Sequence, residues 1–397
     1  MTEKNLMEIK IDRKELLKGF SRARIAASGK HNLLILSSAL LIAKDGALGI
    51  SATDLEIWFQ GIYPTCIVKP GSIVVPIDLI FNFVKKSKSK EILLIEKERQ
   101  WVNISDGLNY LNFACSSVDD FPSALEIKEM PQLSVDALDF KEMIDVATLA
   151  SLYNSYDSRS FVSGAYFQII EKENQKFFRA VSTDGSCLAL IDRELTIINS
   201  CESETNINKT LIPKRCLKKI DGILLENNNQ KRHNVKGFFE SKNIILLSVD
   251  QNNLIVKKQQ NEFVVARLLE GDFPNCEDIV KGGGNYIIAD RKKLLEIMKK
   301  MVMMQNGNYI GVTVDIESMN MKTTFVNPDI GEMTEEIKIE YNGVPIQISF
   351  NPKYFIGFLQ FMKSANVKLD IKDGECPCVI TGKQDEGFVG VIMPMRI

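Results

Sequence analysis

Residues 12–26 read DRKELLKGFSRARIA, and two later stretches of the chain follow the same design. Each stretch begins with an aspartate and carries an apolar pair shortly afterwards: Leu16 and Leu17 after Asp12, Met143 and Ile144 after Asp139, and Leu294 and Leu295 after Asp290. Aspartate suits a helix N-cap because its carboxylate accepts the free N–H groups of the first turn. The pattern predicts three amphipathic helices in equivalent positions.

A second set of three helices is predicted to begin at proline. Proline at the first helical position loses no hydrogen bond, and each proline is followed by one apolar helical stripe. The prolines are Pro76, Pro213 and Pro352, and the stripes are Leu79, Ile80 and Phe83; Cys216, Leu217 and Ile220; and Phe355, Ile356 and Leu359. They recur roughly every 140 residues, which is the size of a domain rather than of a solenoid repeat.

Alternating or β-branched runs bounded by turn residues lie between these helices. Examples are the segments 47–58, 176–191 and 309–325, which we interpret as antiparallel strands. The predicted fold class is α+β, with three tandem copies of a helix-strands-helix-strands domain. The expected domains are residues 1–131, 132–282 and 283–397, with boundaries near Pro131 and the glycine run 282–284.

Composition describes an ordinary folded chain and excludes several classes. The 397 residues are 45% hydrophobic and 25% charged, with a net charge of -2, so no bulk attraction to a polyanion exists. No apolar run is long enough to cross a bilayer, so we expect a soluble, cytoplasmic protein without a membrane partner. The eight cysteines have no Cys-x-x-Cys pair and should be reduced.

Catalytic chemistry is poorly represented. The chain has two histidines in different predicted domains, and no phosphate-loop, metalloprotease or serine-hydrolase motif. We therefore expect no catalytic residue, no cofactor and no metal. The acidic runs Thr53-Asp54-Leu55-Glu56 and Thr183-Asp184-Gly185-Ser186 have two interpretations, a cation site or a turn stabilised by Asp side chains, and we favour the turn.

Positive charge is concentrated on the predicted helices, and the remainder of the chain is acidic. On a single helix, lysine and arginine usually just cover a solvated face. Repetition over most of six helices favours a surface that holds a polyanion through phosphate contacts without reading bases. The candidates are Arg13, Lys14, Arg22, Arg24, Lys214, Arg215, Lys218, Lys219, Lys299 and Lys300. The helix after Asp139 has one lysine against three acids and does not join this set.

Several of these motifs together resemble the bacterial DNA sliding clamp, the beta subunit of DNA polymerase III. The motifs that carry the resemblance are the two Thr-Asp runs, Leu188-Ala189, Asp272-Phe273-Pro274 and the C-terminal VIMPMRI at residues 391–397. They occur in the same order along the whole chain as in the family. It implies a head-to-tail homodimer that closes a six-domain ring around duplex DNA, with helices lining the hole and sheets outside. The basic helices would then face the DNA.

The resemblance also implies site residues. A pocket for partner peptides would consist of Val162, Thr183, Gly185, Leu188, Pro274, Ile279, Val391, Met393, Pro394, Met395 and Arg396. Lys30 matches a loop position that the family uses on DNA, and Leu111, Met303 and Met304 fall at its dimer seam. The chain departs from the family at Ser186-Cys187, usually His-Arg, and at Asn275-Cys276-Glu277, which leaves the peptide preference open.

The expected function is that of a processivity factor, which tethers a polymerase to DNA and raises its local concentration. Its expected partners are double-stranded DNA without sequence preference, the polymerase III catalytic subunit and the clamp loader, the proteins being bound through short peptide motifs. Two alternatives stay open: a clamp-derived peptide-binding adaptor, and a metal-dependent nucleotide or phosphodiester enzyme that uses Asp54, Glu56 and Asp184.

Overall fold

The computed structural model describes residues 6–27, 33–123, 132–150, 160–195, 207, 209–225, 243–258, 261–306 and 310–396. The described chain forms two compact units. The first unit contains residues within 1–140 and 215–268, and the second contains residues within 141–196, 207–214 and 269–397. The three-domain division with boundaries at 131 and 282 stays a prediction.

The N-terminal third of the chain consists of two helices and nine strands. In chain order they are β1 Glu8–Asp12, α1 Arg13–Ala26, β2 Ser38–Lys44, β3 Ala47–Thr53, β4 Ile57–Pro64, β5 Cys66–Lys69, β6 Gly71–Pro76, α2 Ile77–Lys86, β7 Glu91–Lys97, β8 Trp101–Ser105 and β9 Tyr110–Ala114.

The middle third repeats this order. It contains β10 Leu133–Asp136, α3 Ala137–Leu149, the one-turn α4 Ser160–Ser163, β11 Gly164–Lys172, β12 Gln175–Thr183, β13 Cys187–Glu194, β14 Thr210–Pro213, α5 Lys214–Ile220, β15 Ile244–Val249, β16 Asn253–Lys258 and β17 Glu262–Arg267. A π-helical turn, Asp221–Leu225, follows α5.

The C-terminal third repeats it again. It contains β18 Tyr286–Asp290, α6 Arg291–Met303, β19 Val312–Glu317, β20 Asn320–Asn327, β21 Gly331–Glu340, β22 Ile346–Phe350, α7 Pro352–Phe361, β23 Asn366–Ile371, β24 Cys378–Thr381 and β25 Phe388–Ile392. The predicted α+β class is confirmed.

Two of the three predicted aspartate caps are confirmed. The Asp12 carboxylate accepts the Lys14 N–H at 2.7 Å, and the Asp290 carboxylate accepts the Lys293 N–H at 2.8 Å. The prediction for Asp139 is wrong by one turn, because Asp136 accepts the Leu138 and Asp139 N–H groups and α3 begins at Ala137. Asp136 is the N-cap instead, because it lies one turn earlier and its carboxylate already accepts these N–H groups.

The proline helices also begin slightly differently from prediction. Pro352 is the first residue of α7, but Pro76 and Pro213 end strands, and α2 and α5 begin one residue later. The buried stripe of α2 is therefore Ile77, Ile80, Phe81 and Val84, whereas Leu79 is partly exposed. Each helix still buries one apolar face, as the spacing predicts.

Sheets in both units continue from one predicted domain into the next. The first unit has a five-stranded sheet, β5-β1-β7-β8-β9, and an eight-stranded sheet, β10-β15-β16-β17-β4-β3-β2-β6. The second unit has a twelve-stranded sheet, β14-β11-β12-β13-β25-β24-β23-β18-β21-β20-β19-β22. The joining pairs are β17 with β4 and β25 with β13, both antiparallel. In each, the last strand of one repeat covers the edge of the preceding repeat.

A buried ion pair fixes α1 to β17 within the first unit. The Arg22 guanidinium contacts the Glu262 carboxylate, and both side chains are about nine-tenths buried. The Tyr63 hydroxyl donates to the same carboxylate at 3.0 Å, and the Lys18 ammonium lies 3.5 Å from it. Burial lowers the pKa of Arg22 and raises the pKa of Tyr63. The Glu262 carboxylate therefore offsets part of the free-energy cost of burying the positive charges of Arg22 and Lys18.

We predict that Glu262→Ala lowers the free energy of unfolding of the first unit by about 3 kcal/mol, because it leaves a buried guanidinium without its carboxylate. Urea denaturation followed by tryptophan fluorescence measures this selectively, since the only tryptophans, Trp58 and Trp101, lie in the first unit. Asp278→Ala removes an exposed ion pair with Lys281 and is the control, whose midpoint should not move. Equal midpoints for both variants would contradict the prediction.

Candidate functional site

The turn between β12 and β13 is held by its own side chains. The Thr183 hydroxyl donates to the Cys187 carbonyl at 2.6 Å and accepts the Gly185 N–H at 3.0 Å. The Asp184 carboxylate accepts the Ser186 and Cys187 N–H groups, both at 2.9 Å. Asp184 therefore stabilises a turn, as its position in the sequence indicates.

A second contact with Asp184 was not foreseen from the sequence. The Tyr354 hydroxyl on α7 donates to the Asp184 carboxylate at 3.0 Å, and both side chains are buried. Burial first, and then the Asp184 charge, raises the pKa of Tyr354. The two residues are 170 positions apart. No local pattern predicts that pair, although an aromatic residue with a hydroxyl in the first turn of a helix is a candidate partner for a buried polar group.

Strand β25 brings the C-terminal segment to this turn. Leu188 pairs with Val391 and Cys187 with Ile392 across the two strands. Beyond the strand, the Met393 N–H donates to the Ser186 carbonyl at 2.8 Å and the Met395 N–H to the Ser349 carbonyl at 2.7 Å. Met393 is exposed, and Pro394 and Met395 are half-buried. The predicted pocket residues Thr183, Gly185, Leu188, Val391 and Met393 are thus brought together.

The segment that follows Asp272 packs beside them. Cys276 belongs to a buried apolar cluster that also contains Leu188 and Val391, and Phe273 and Val280 pack against this cluster. The predicted pocket residues Pro274 and Ile279 lie in this segment and are exposed. Phe273 also stacks on Tyr166 with ring centroids 5.2 Å apart. An apolar floor with exposed apolar side chains at its edge suits a short peptide.

The two residues that depart from the family differ in their environment. Ser186 is exposed and uses its carbonyl to hold Met393, whereas Cys187 is buried. Burial, and next the Asp184 carboxylate, raises the pKa of the Cys187 thiol well above its ordinary value. Cys187 is therefore a neutral core thiol and not a polar contact for a ligand.

Val162 and Lys214 occupy the interior rather than the surface. Val162 is buried, and its carbonyl accepts the Lys214 ammonium at 2.7 Å; the Thr183 carbonyl accepts the same ammonium at 3.3 Å. Lys214 is only 4% exposed. The prediction that Lys214 contacts DNA is wrong in this structure, because its charged group has no surface for a phosphate.

The prediction that Arg22 contacts DNA is corrected for the same reason, since Arg22 is buried against Glu262.

Other basic candidates have structural partners, but their side chains remain at least partly exposed. Arg13 donates to the Val84 and Lys85 carbonyls at the end of α2, Arg24 pairs with Asp78 at 2.7 Å, and Lys219 contacts Asp54 at 2.6 Å and the Ala26 carbonyl at 3.0 Å. Arg215 contacts Glu56 and Lys300 pairs with Glu335 at 2.7 Å. Lys14, Lys218 and Lys299 are exposed. Lys30 lies outside the described residues.

The predicted seam residues are available for contact. Met303, at the end of α6, is 73% exposed, and Met304 and Leu111 are partly buried. Leu108 and Tyr110, beside Leu111, are 89% and 72% exposed. Leu111 lies on β9, which is an edge strand of its sheet. Exposed apolar side chains along an unpaired strand edge are typical of an interface.

A cation site finds no support in the described part of the chain. No group of three or more histidine, cysteine, aspartate or glutamate side chains could hold a metal there. Asp54 accepts the Glu56 and Ile57 N–H groups and the Lys219 ammonium. The candidate acids Asp54 and Asp184 each stabilise a turn. Among the described helices, none has the length and apolar character needed to cross a membrane.

Solved structures of DNA sliding clamps match this architecture. The clamp of Bartonella birtlesii bound to griselimycin matches with a TM-score of 0.87 at 22% identity over 99% of this chain and all of that chain. The DNA polymerase III beta subunit of Thermotoga maritima matches with a TM-score of 0.83 at 22% identity over 98% of this chain and all of that one. The fold is that of the sliding clamps.

Sequence comparisons give the family. The model of the DNA polymerase III beta subunit N-terminal domain matches residues 7–126, and that of its C-terminal domain matches residues 281–396. The beta sliding clamps of Pseudomonas aeruginosa and Escherichia coli K12 are 23% and 22% identical, each over 98% of this chain and all of the relative. The chain belongs to the DNA polymerase III beta subunit family, the bacterial sliding clamps.

Membership decides between the open alternatives. A beta sliding clamp is a non-catalytic processivity factor of DNA polymerase III, so this chain serves replication on DNA with a polymerase as partner. The family favours neither the metal-dependent enzyme nor the adaptor.

Proposed function

We propose that two copies of the chain pair head to tail into a ring around duplex DNA, and that β9 of one copy joins β21 of the other. One observation carries this proposal. The last strand of the second repeat pairs with β4, and the last strand of the third repeat pairs with β13. The last strand of the first repeat, β9, is left at a sheet edge. The equivalent of β4 and β13 in the third repeat is β21, whose described partners are β20 and, at two residues, β18.

The register of that missing pair follows from rows of directly opposed residues, each of which crosses five neighbouring strands. The first row consists of Ala52, Phe59, Val264, Val256 and Leu247. The second row consists of Ser182, Ala189, Gly390, Ile380 and Leu369. The third row is split into Phe325 with Met333, and Leu111 with Ile104 and Leu94. Continuing it between two copies places Leu111 opposite Met333. Exposed Met303 and Tyr110 favour burial at this seam.

DNA contact is proposed for the basic side chains that remain exposed to solvent. Lys14, Lys218 and Lys299 are exposed, and Arg24, Arg215 and Lys300 are more than 40% exposed despite their ion pairs. Exposed ion pairs are weak, so a phosphate can replace the carboxylate partner. Arg13, Lys219 and Lys30 stay in the proposal, and Arg22 and Lys214 are removed from it. Contacts of this kind position duplex DNA without reading its sequence.

Peptide binding is proposed at the cluster around Leu188, Val391 and Met393. The polymerase III catalytic subunit and the clamp loader would each insert a short apolar motif there. The half-buried Met395 and exposed Met393 support this, because flexible methionine side chains adapt to varied ligands. The griselimycin complex of the Bartonella birtlesii clamp shows that a relative binds this compound. Such a clamp would work in the cytoplasm, beside the chromosome.

We predict that Leu111→Cys combined with Met333→Cys forms a disulfide between copies. Directly opposed residues of antiparallel strands have Cα atoms about 4.5–5.5 Å apart, within disulfide range. The background is Cys66→Ser, because Cys66 is exposed. Non-reducing electrophoresis should show covalent dimers.

The matched control combines Asn112→Cys with Met333→Cys. A shift of one residue puts the two side chains on opposite faces of the sheet, so this variant should stay monomeric under denaturing conditions. Dimers in the control, or none in the Leu111 variant, would reject the register.

DNA binding should depend on salt and not on sequence. Replacing both Lys299 and Lys300 by alanine is expected to reduce the slope of log K against log salt by about 0.9 for each phosphate that the variant no longer neutralises, equally on unrelated sequences. Anisotropy of short labelled duplexes measures the slope between about 50 and 200 mM salt. Lys383→Ala, an exposed lysine outside the basic helices, is the control. A changed sequence preference with an intact slope would contradict the proposal.

Removing residues 393–397 should abolish binding of a labelled polymerase-derived peptide and leave the dimer mass unchanged. The deletion removes Met393 and Met395, against which apolar side chains of the peptide would be buried. The binding free energy should weaken by about 1.5–3 kcal/mol for each apolar side chain that is no longer buried. β25 ends at Ile392 and keeps its pairing. Peptide titration and mass measurement check the two halves of this prediction. Equal affinity for full-length and truncated protein would place the peptide site elsewhere.

A further inference from the structure

Lys214 combines deep burial with contacts to two predicted pocket residues. It is the first residue of α5, yet its ammonium points into the protein and donates to the Val162 and Thr183 carbonyls at 2.7 and 3.3 Å. Val162 precedes β11, and Thr183 ends β12 and starts the turn that holds Met393. One buried cation thus links the two backbone segments that form the inner wall of the pocket.

We infer that Lys214 is a positioning residue of the peptide pocket, where it fixes the Val162 and Thr183 backbones at the spacing that a ligand requires. This inference rests on the proposed peptide function. The ligand class is an apolar peptide, and Lys214 acts on it through the wall, because its charged group is covered.

A buried ammonium needs compensation, and the structure provides it. Two carbonyls accept the ammonium directly, and the buried Asp184 carboxylate adjoins Thr183. Burial raises the pKa of the nearby Cys187 thiol most, the Asp184 charge raises it further, and the Lys214 charge lowers it. The two carbonyl acceptors offset part of the cost of burying the ammonium.

In the first repeat the equivalent turn forms without a lysine at the position of Lys214, although the Lys219 ammonium contacts its Asp54 carboxylate at 2.6 Å. There, Thr53 accepts the Leu55 N–H and donates to the Ile57 carbonyl, and Asp54 accepts the Glu56 and Ile57 N–H groups, in the same pattern as Thr183 and Asp184. The residue equivalent to Lys214 after the proline is Ile77, which is apolar and 2% exposed. A charge at this position is therefore not a requirement of the fold, and it occurs where the predicted pocket lies.

The test compares Lys214→Met with Lys209→Met in the full chain. Methionine keeps the length and volume of the side chain but cannot donate to the two carbonyls. Lys209 is exposed and directly precedes β14, five positions before Lys214. Titration with a labelled polymerase-derived peptide should show at least about tenfold weaker binding by Lys214→Met, because two buried carbonyls lose their donor. Lys209→Met should bind like the wild type, and Lys214→Arg should recover part of the affinity.

Salt dependence of DNA binding separates this role from a phosphate contact. The slope of log K against log salt should be the same for Lys214→Met and the wild type. Unchanged peptide affinity together with a reduced slope would overturn the inference and restore Lys214 as a DNA contact. Failure of the wild type to bind the peptide would instead overturn the proposed pocket itself.

Chemical acetylation of the wild-type protein gives a test that does not depend on a variant folding. Acetic anhydride followed by mass spectrometry should leave Lys214 unmodified and modify Lys209, with or without DNA. Ready acetylation of Lys214 that DNA suppresses would show an exposed phosphate-binding lysine and would overturn the inference.

Discussion

Antiparallel strand pairing between repeats is the constraint on which the remaining features depend. A repeat of this kind ends in a strand edge, and an open edge must be paired or protected. The pairs β4 with β17 and β13 with β25 meet this requirement inside the two units. Because the registers of the two pairs are equivalent, the turns before β4 and β13 are brought beside the ends of β17 and β25. The candidate pocket is a product of that pairing.

The two pairings differ in what fills the space beside the turn. In the first unit, Trp58 lies in the position that Leu188 has in the second, and it packs edge-on against Phe121 with centroids 5.9 Å apart. In the second unit, the smaller Leu188 contacts Cys276 and Val391, and Phe273 stacks on Tyr166 instead. Both junctions are buried, but the junction around Leu188 is bordered by the exposed apolar residues Pro274, Ile279 and Met393. This difference explains why one junction is the better candidate for binding.

Much of the fold was readable from the sequence because it repeats. Three aspartate helices, three proline helices and the strands between them are present. The error of one turn at Asp139 reflects capping by Asp136, and the errors of one residue at Pro76 and Pro213 arise because these prolines end strands. The pocket was only partly readable. Its link to Tyr354 joins residues 170 positions apart, and burial of Arg22 and Lys214 depends on tertiary contacts that helix charge patterns do not encode. One signal was available, since a lysine in the first turn of α5 opposes the helix dipole.

Burial therefore separates two enclosed cations from the basic residues for which DNA contact is proposed. Arg22 and Lys214 are enclosed, and Arg13 and Lys219 use carbonyl or carboxylate partners to join elements. Lys14, Lys218 and Lys299 remain at the surface. A clamp that slides needs contacts that are numerous but individually weak and non-specific, since each firm contact to a phosphate must break at every step. Under the proposed DNA contacts, the enclosed Arg22 and Lys214 serve the fold, whereas the exposed lysine side chains supply the weak contacts.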